Sequence, residues 1–208
     1  MAEAQAVVQV AHHAGKRVCA HIGGPKGAQL AIQAGVDCLE HCYALDDAAI
    51  AMFGETETYL VPTLCVNHSE EFFREQGWCE SRLRQMTANG TLHRESFLRA
   101  VRAGAKPAVG TDMLPTDKPD LPGFPIATVR EIELMVYAGL SETEALMAGT
   151  KNTAELCQVA DRLGTLEVGK IADVIAVEGN PVTDIKTLRK IVFVMKDGEI
   201  VRNAWETG

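Results

Sequence analysis

Short apolar runs alternate with longer amphipathic stretches through the first two thirds of the chain. Four runs, 16–20, 36–40, 58–64 and 105–111, are bounded by glycines and rich in Val, Leu and Ala. That pattern predicts strands covered on both faces. Helical spacing fills the gaps: 3–14, 26–34, 46–52 with Asp46 as N-cap, a long stretch over 69–103 that divides near Gly77, and 125–138 with Pro125 suited to a first turn. The phrase Ala-Gly closes four of these stretches, at Gly15, Gly35, Gly104 and Gly139. A glycine just past a helix takes the left-handed conformation that ends the last turn. Ser141-Glu-Thr-Glu144 is a capping box that opens one more helix. Four β-then-α units between 16 and 138 predict an α/β fold, either a barrel or an open parallel sheet.

The rhythm changes in the last third. Residues 170–177 read as a strand, and 191–196 and 199–202 flank Asp197-Gly198, a two-residue hairpin signal. A small antiparallel element is expected there. The proline-rich stretch 115–125, directly after the fourth strand, is either a cover for a site or a plain connection.

Composition narrows the function. At 208 residues the chain amounts to about one and a half domains. An apolar fraction of 47% supports a packed core. Twenty basic against 28 acidic residues give a net charge of −8 with no basic run. Nucleic acid and anionic membrane surfaces are therefore not expected as partners. No apolar run approaches the roughly 18 residues of a membrane span. The N-terminal segment lacks the charged and apolar regions of a secretory signal. Six irregularly spaced cysteines suit reduced thiols and a cytoplasmic setting.

In parallel α/β folds the reactive side chains gather at the carboxyl ends of strands. The first run leads to His21, the second to His41 and the fourth to Asp112. A lone strand-end His is ordinarily a hydrogen-bonded structural residue, and an Asp after Gly-Thr can simply cap a loop. Three such residues at one topological position point instead to a divalent metal, zinc foremost, with a position left open for water. Cys38-Leu-Glu-His41-Cys42 is similar to a zinc cluster only on paper. Alternate strand residues face opposite ways, so these side chains cannot all reach one ion, and Cys38 reads as a buried thiol. His12 and His13 read as surface or packing residues, His93 as structural, and His68 as packing or at a site mouth. Asp46-Asp47 reads as a helix cap, and Lys170 has no partner that suggests a Schiff base. No phosphate-binding loop, nucleophile elbow or dinucleotide fingerprint is present in the sequence.

The stretches His13-Ala-Gly-Lys-Arg-Val-Cys-Ala-His21, Ala34-Gly-Val-Asp-Cys-Leu-Glu-His41, Leu60-Val-Pro-Thr-Leu64 and Gly110-Thr-Asp112 resemble the amidohydrolase superfamily, nearest to its imidazolonepropionase-like and Xaa-Pro dipeptidase-like members. Leu163-Gly-Thr-Leu-Glu-Val-Gly-Lys-Ile-Ala-Asp173 and the Asp197-Gly198 hairpin agree. The resemblance implies strands five to eight of a TIM-type (β/α)8 barrel over 1–162, and the C-terminal part of a composite β-sandwich over 163–208. It implies metal ligation by His21, His41 and Asp112, with Asp112 also taking the proton from the attacking water. The implied activity is metal-dependent hydrolysis of carbon–nitrogen bonds in amides, cyclic amides or dipeptides. The family's strand-one His-x-His pair and strand-four Lys have no counterpart in this sequence. The expected partners are therefore a small amide or peptide-like substrate and either a second copy or a complementing N-terminal half. The alternative is an inactive half, or a non-enzymatic metal- or ligand-binding protein that needs a partner chain.

Overall fold

The computed structural model describes residues 1–113 and 127–205. Four strands, β1 (Cys19–Ile22), β2 (Cys38–His41), β3 (Tyr59–Val61) and β4 (Lys106–Pro107), form one parallel sheet in that order. Helices α1 (Ala2–His13), α2 (Pro25–Ala34), α3 (Asp47–Phe53), α4 (Glu70–Glu75) and α5 (Glu80–Ala103) precede or connect them. After β4 come α6 (Ala127–Tyr137), α7 (Glu142–Met147) and α8 (Thr153–Leu156). Strands β5 (Val174–Val177), β6 (Ile191–Lys196) and β7 (Glu199–Asn203) make a separate antiparallel sheet, again in sequence order. The expected proline-rich loop and the start of the helix at 125 lie outside the described residues.

The local signals behave as their chemistry requires. Gly15, Gly35, Gly104 and Gly139 all take positive φ. Asp46 accepts from the Ala49 amide at 2.8 Å and caps α3. Ser141 and Glu144 form the reciprocal capping box of α7. Helices α4 and α5 are separate, as the break near Gly77 predicts. Asp197 and Gly198 both have positive φ, which the tight turn between β6 and β7 demands.

Strand limits differ from the apolar runs. β1 starts at Cys19 rather than 16, because the Val18 amide is taken by the Asp37 carboxylate at 2.8 Å. β3 stops at Val61, and Leu64–Asn67 is a 3-10 turn rather than strand. β4 is only two residues long, although the Ala108 amide still donates to the Leu60 carbonyl at 3.0 Å. Pro107 has no amide proton to extend the ladder.

The sheet has two unlike faces. Ile22, Leu39 and Leu60 point toward the helices and join Ala28, Ile32, Phe53, Phe97 and Met135 in the main core. Phe53 and Phe97 are each 1% exposed, and burying such a ring contributes on the order of 1.5–3 kcal/mol. The opposite face carries Cys38, Tyr59, Val61 and Ala108 in a small second cluster. Gly110 lets the chain cross closely there: a Cβ on it would lie 2.5 Å from Val61 Cγ1. The tail is tied to the main body through Ile185 and Leu188, which are buried in the main core. Arg189 adds two hydrogen bonds to Glu133 on α6, at 2.6 and 2.7 Å. Among the described residues no helix is long and apolar enough to cross a membrane.

Candidate active site at the carboxyl ends of the parallel strands

His21 is the third residue of β1 and alternates with Ala20 and Ile22, so its side chain leaves the helix-covered face. β1 and β2 pair in register, with His21 opposite Glu40 and Ile22 opposite His41. His41 closes β2, and there the strand alternation ends. His41 and Cys42 are successive non-glycine residues with positive φ, 68° and 58°. Such a conformation costs on the order of 1–3 kcal/mol per residue and persists only where surroundings hold it.

Helix α5 supplies that hold. His93 Nε2 donates to the His41 carbonyl at 3.0 Å. Ser96 Oγ donates to the Cys42 carbonyl at 3.1 Å and accepts from the Leu45 amide at 3.0 Å. His93 is fully buried, and Asn67 Nδ2 donates to its Nδ1 at 3.1 Å. These partners assign the proton to Nε2. Burial pushes the ring's pKa down to about 4, so His93 stays neutral and fixes the turn.

The turn swings the His41 ring against His21. Their centroids are 4.5 Å apart, edge to face, and Tyr43 stacks on the other side of His41 at 5.3 Å. His41 Nδ1 meets Thr63 Oγ1 at 2.7 Å. With Nδ1 engaged, Nε2 is the nitrogen left for another partner, the usual division of labour in a metal-ligating imidazole. Burial, then the neighbouring His21, hold His41 below the ordinary histidine range, while Asp112 pulls the other way. The ring is thus kept as a neutral donor.

Thr63 itself has φ 54° and opens the 3-10 turn. The first amides of that turn, on Leu64 and Cys65, donate to the Glu131 carboxylate at 2.7 and 2.8 Å. Glu131 is 0% exposed. Its burial outweighs those two bonds and pushes its pKa up to about 7. The chain of support therefore runs from Glu131 on α6 through the 3-10 turn to Thr63 and on to His41.

Asp112 follows β4, is exposed, and has φ 49°. Its charge acts on His41, Tyr43 and Glu40. β4 lies two strands from β2, roughly 10 Å across a sheet. The predicted set of His21, His41 and Asp112 does not close to within 4.8 Å. Among the described residues, the three donors that all lie within 4.8 Å of one another are Cys19, Cys38 and Glu40.

The remaining sequence candidates resolve simply. His12 pairs with Asp37 at 2.8 Å on the surface, and His13 is exposed. His68 is half-buried and packs over Gly90, where a Cβ would come 2.9 Å from its ring. Lys170 sits beside Glu167 at 3.5 Å. Thr63, Ser96, Asn67 and Glu131 escaped the sequence reading, because their partners lie 22 to 67 residues away.

Known proteins share this arrangement of chain. Ochratoxinase of Aspergillus niger is 29% identical over 205 residues, covering 96% of this chain and 41% of that protein. Imidazolonepropionase of Symbiobacterium thermophilum is 28% identical over 149 residues, covering 72% of this chain and 30% of that protein. The chain thus spans well under half the length of these relatives. The crystal structure of a Xaa-Pro dipeptidase with methionine in its active site superposes with a TM-score of 0.81 at 33% identity, covering 97% of this chain and 48% of that one. The crystal structure of Aspergillus niger ochratoxinase gives 0.77 at 29% identity, with 97% and 45% covered. The α/β fold is that of amidohydrolase TIM-barrel structures over about half their length. Residues 2–201 match the amidohydrolase family, and the chain belongs to that family.

Proposed function

We propose that this chain carries one half of the active site of a metal-dependent hydrolase that cleaves amide, cyclic amide or dipeptide bonds. The observation that carries the reading is the His21–His41 pair, 4.5 Å apart at the ends of adjacent parallel strands. The donor set fits a zinc-type ion: two imidazoles, one of them fixed through Nδ1 by Thr63, and a carboxylate beyond. His21, His41 and Asp112 would hold the ion. When bound, it supplies Lewis-acid chemistry, acidifying a water and polarising the scissile carbonyl.

The chain's own residues do the rest. His41 presents Nε2 because Thr63 occupies Nδ1. His93 and Ser96 keep the His41 turn from relaxing. Asp112, exposed beyond the end of β4, would accept the proton of the attacking water and return it to the leaving nitrogen. Tyr43 covers the outer face of His41 and limits water there.

A partner segment belongs to this reading. The outer edges of β1 and β4 have no strand beside them among the described residues. On the tail sheet Ile175, Ile200 and Val201 are exposed. Open parallel edges and exposed apolar residues on the tail sheet favour either a second copy or a complementing N-terminal half that completes a (β/α)8 barrel over 1–162 and a β-sandwich over 163–208. The six free cysteines support a reducing, cytoplasmic setting. A half that is inactive alone is the second reading, favoured by the open geometry of the three ligands.

Elemental analysis of the tag-free chain tests the site. His41→Ala is expected to lower the zinc-type metal content by about one ion per chain without unfolding. Unchanged metal content in that variant removes His41 from the site. Turnover of N-acyl amino acids and Xaa-Pro dipeptides, with and without an added N-terminal half, then separates the active from the inactive reading.

A further inference from the structure

We propose that Cys19, Cys38 and Glu40 form a second cation site, for a thiophilic divalent ion, with Glu40 beside His21 and the two cysteines one side-chain layer below it. Cys19 and Cys38 are register partners on adjacent strands, and Glu40 follows Cys38 by two residues on the same face. The three donor atoms lie within 4.8 Å of one another, with Cys38 Sγ 3.1 Å from Glu40 Oε1. A tetrahedral ion with metal–sulfur near 2.3 Å and metal–oxygen near 2.1 Å needs sulfurs about 3.8 Å apart and sulfur to oxygen about 3.6 Å. Both values lie inside the 4.8 Å limit that the three donors meet, so side-chain rotation suffices.

The site is also rigid on one side and open on the other. Cys38 is fully buried against Tyr59, Val61 and Ala108, whereas Cys19 is exposed and leaves a path of entry. Without the ion, the Cys38 thiol donates to Glu40. On entry of the ion two sulfur–metal bonds form, two S–H bonds break, and both protons leave to solvent. Two thiolates favour zinc-type over magnesium-type ions, and a fourth position is left for solvent. The site shares no residue with the His21, His41 and Asp112 set and does not depend on the hydrolase reading.

The test uses the full reduced chain carrying Cys79→Ser and Cys157→Ser, which remove the other exposed thiols. Titration with Co²⁺ and with Cd²⁺ is expected to raise a thiolate-to-metal charge-transfer band that, at saturating metal, corresponds to one thiolate-bound ion per chain and is displaced by Zn²⁺. Cys19→Ser should weaken binding by more than the roughly 10–100-fold that loss of an outer partner costs. His41→Ala should leave the band intact. Absence of the band at saturating metal, or its survival in Cys19→Ser, overturns the proposal and leaves a hydrogen-bonded thiol pair. Loss of metal in His41→Ala with no thiolate band overturns it too, while sparing the histidine site. Should Cys38→Ser unfold, the variant at the exposed Cys19 still decides between these outcomes.

Discussion

Glu131→Gln isolates the buried carboxyl that supports Thr63. In the folded chain burial lifts its pKa from 4.5 to about 7. The native state therefore keeps a proton that the unfolded state gives up between those values. The sign follows: Glu131's contribution is fully present below pH 4.5 and is lost as pH rises through 7. At 1.36 kcal/mol per pH unit the loss amounts to about 3 kcal/mol. Glutamine cannot ionise, so the variant escapes this loss. Its stability relative to wild type should rise by about 3 kcal/mol between about pH 4 and about pH 8, whatever other groups contribute to both proteins. At acid pH the variant should be the less stable by about 1–3 kcal/mol, since Gln retains one acceptor and leaves the other of the Leu64 and Cys65 amides without one. Urea unfolding of the metal-free chain, followed by fluorescence of Trp78 and Trp205, measures the difference at each pH. A difference that stays constant across that range refutes the argument, because the carboxylate would then be as well accommodated in the fold as in water.

Thr63→Val keeps shape but deletes the hydroxyl at His41 Nδ1; metal affinity by competition with a chromophoric chelator should fall roughly 10–100-fold, with unfolding midpoints little changed. Gly110→Ala places a methyl 2.5 Å from Val61 Cγ1 and should destabilise the chain by about 1–3 kcal/mol in urea. Arg189→Met removes both hydrogen bonds to the nearly buried Glu133, costs about 1–3 kcal/mol, and should speed amide exchange in β5–β7 more than in β1–β3.

Local chemistry was legible along the whole described chain. The Ala-Gly helix ends, the Asp46 cap, the Ser141–Glu144 box and the Asp197-Gly198 turn each depend on neighbours a few residues away, and each formed as its residues require. The same is true of His21 and His41 near strand ends, because strand periodicity and βα order are local patterns, whereas Asp112 lies five residues past the end of β4. Strand limits were less legible. The run 58–64 is rich in β-branched and aromatic residues, yet its last residue enters a 3-10 turn whose amides are claimed by Glu131, 67 residues on.

Tertiary structure alone decided how the site is held. His93 is one of six histidines in the sequence, and only folding sets its Nε2 on the His41 carbonyl, 52 residues away. Cys19 and Cys38 become neighbours through parallel register, and Glu40 joins them through strand alternation. The periodic pattern of a sequence reports which face of an element is apolar, since that depends on side chains spaced along one backbone. Which distant donor meets which buried acceptor depends on how those elements stack, and no local pattern encodes it.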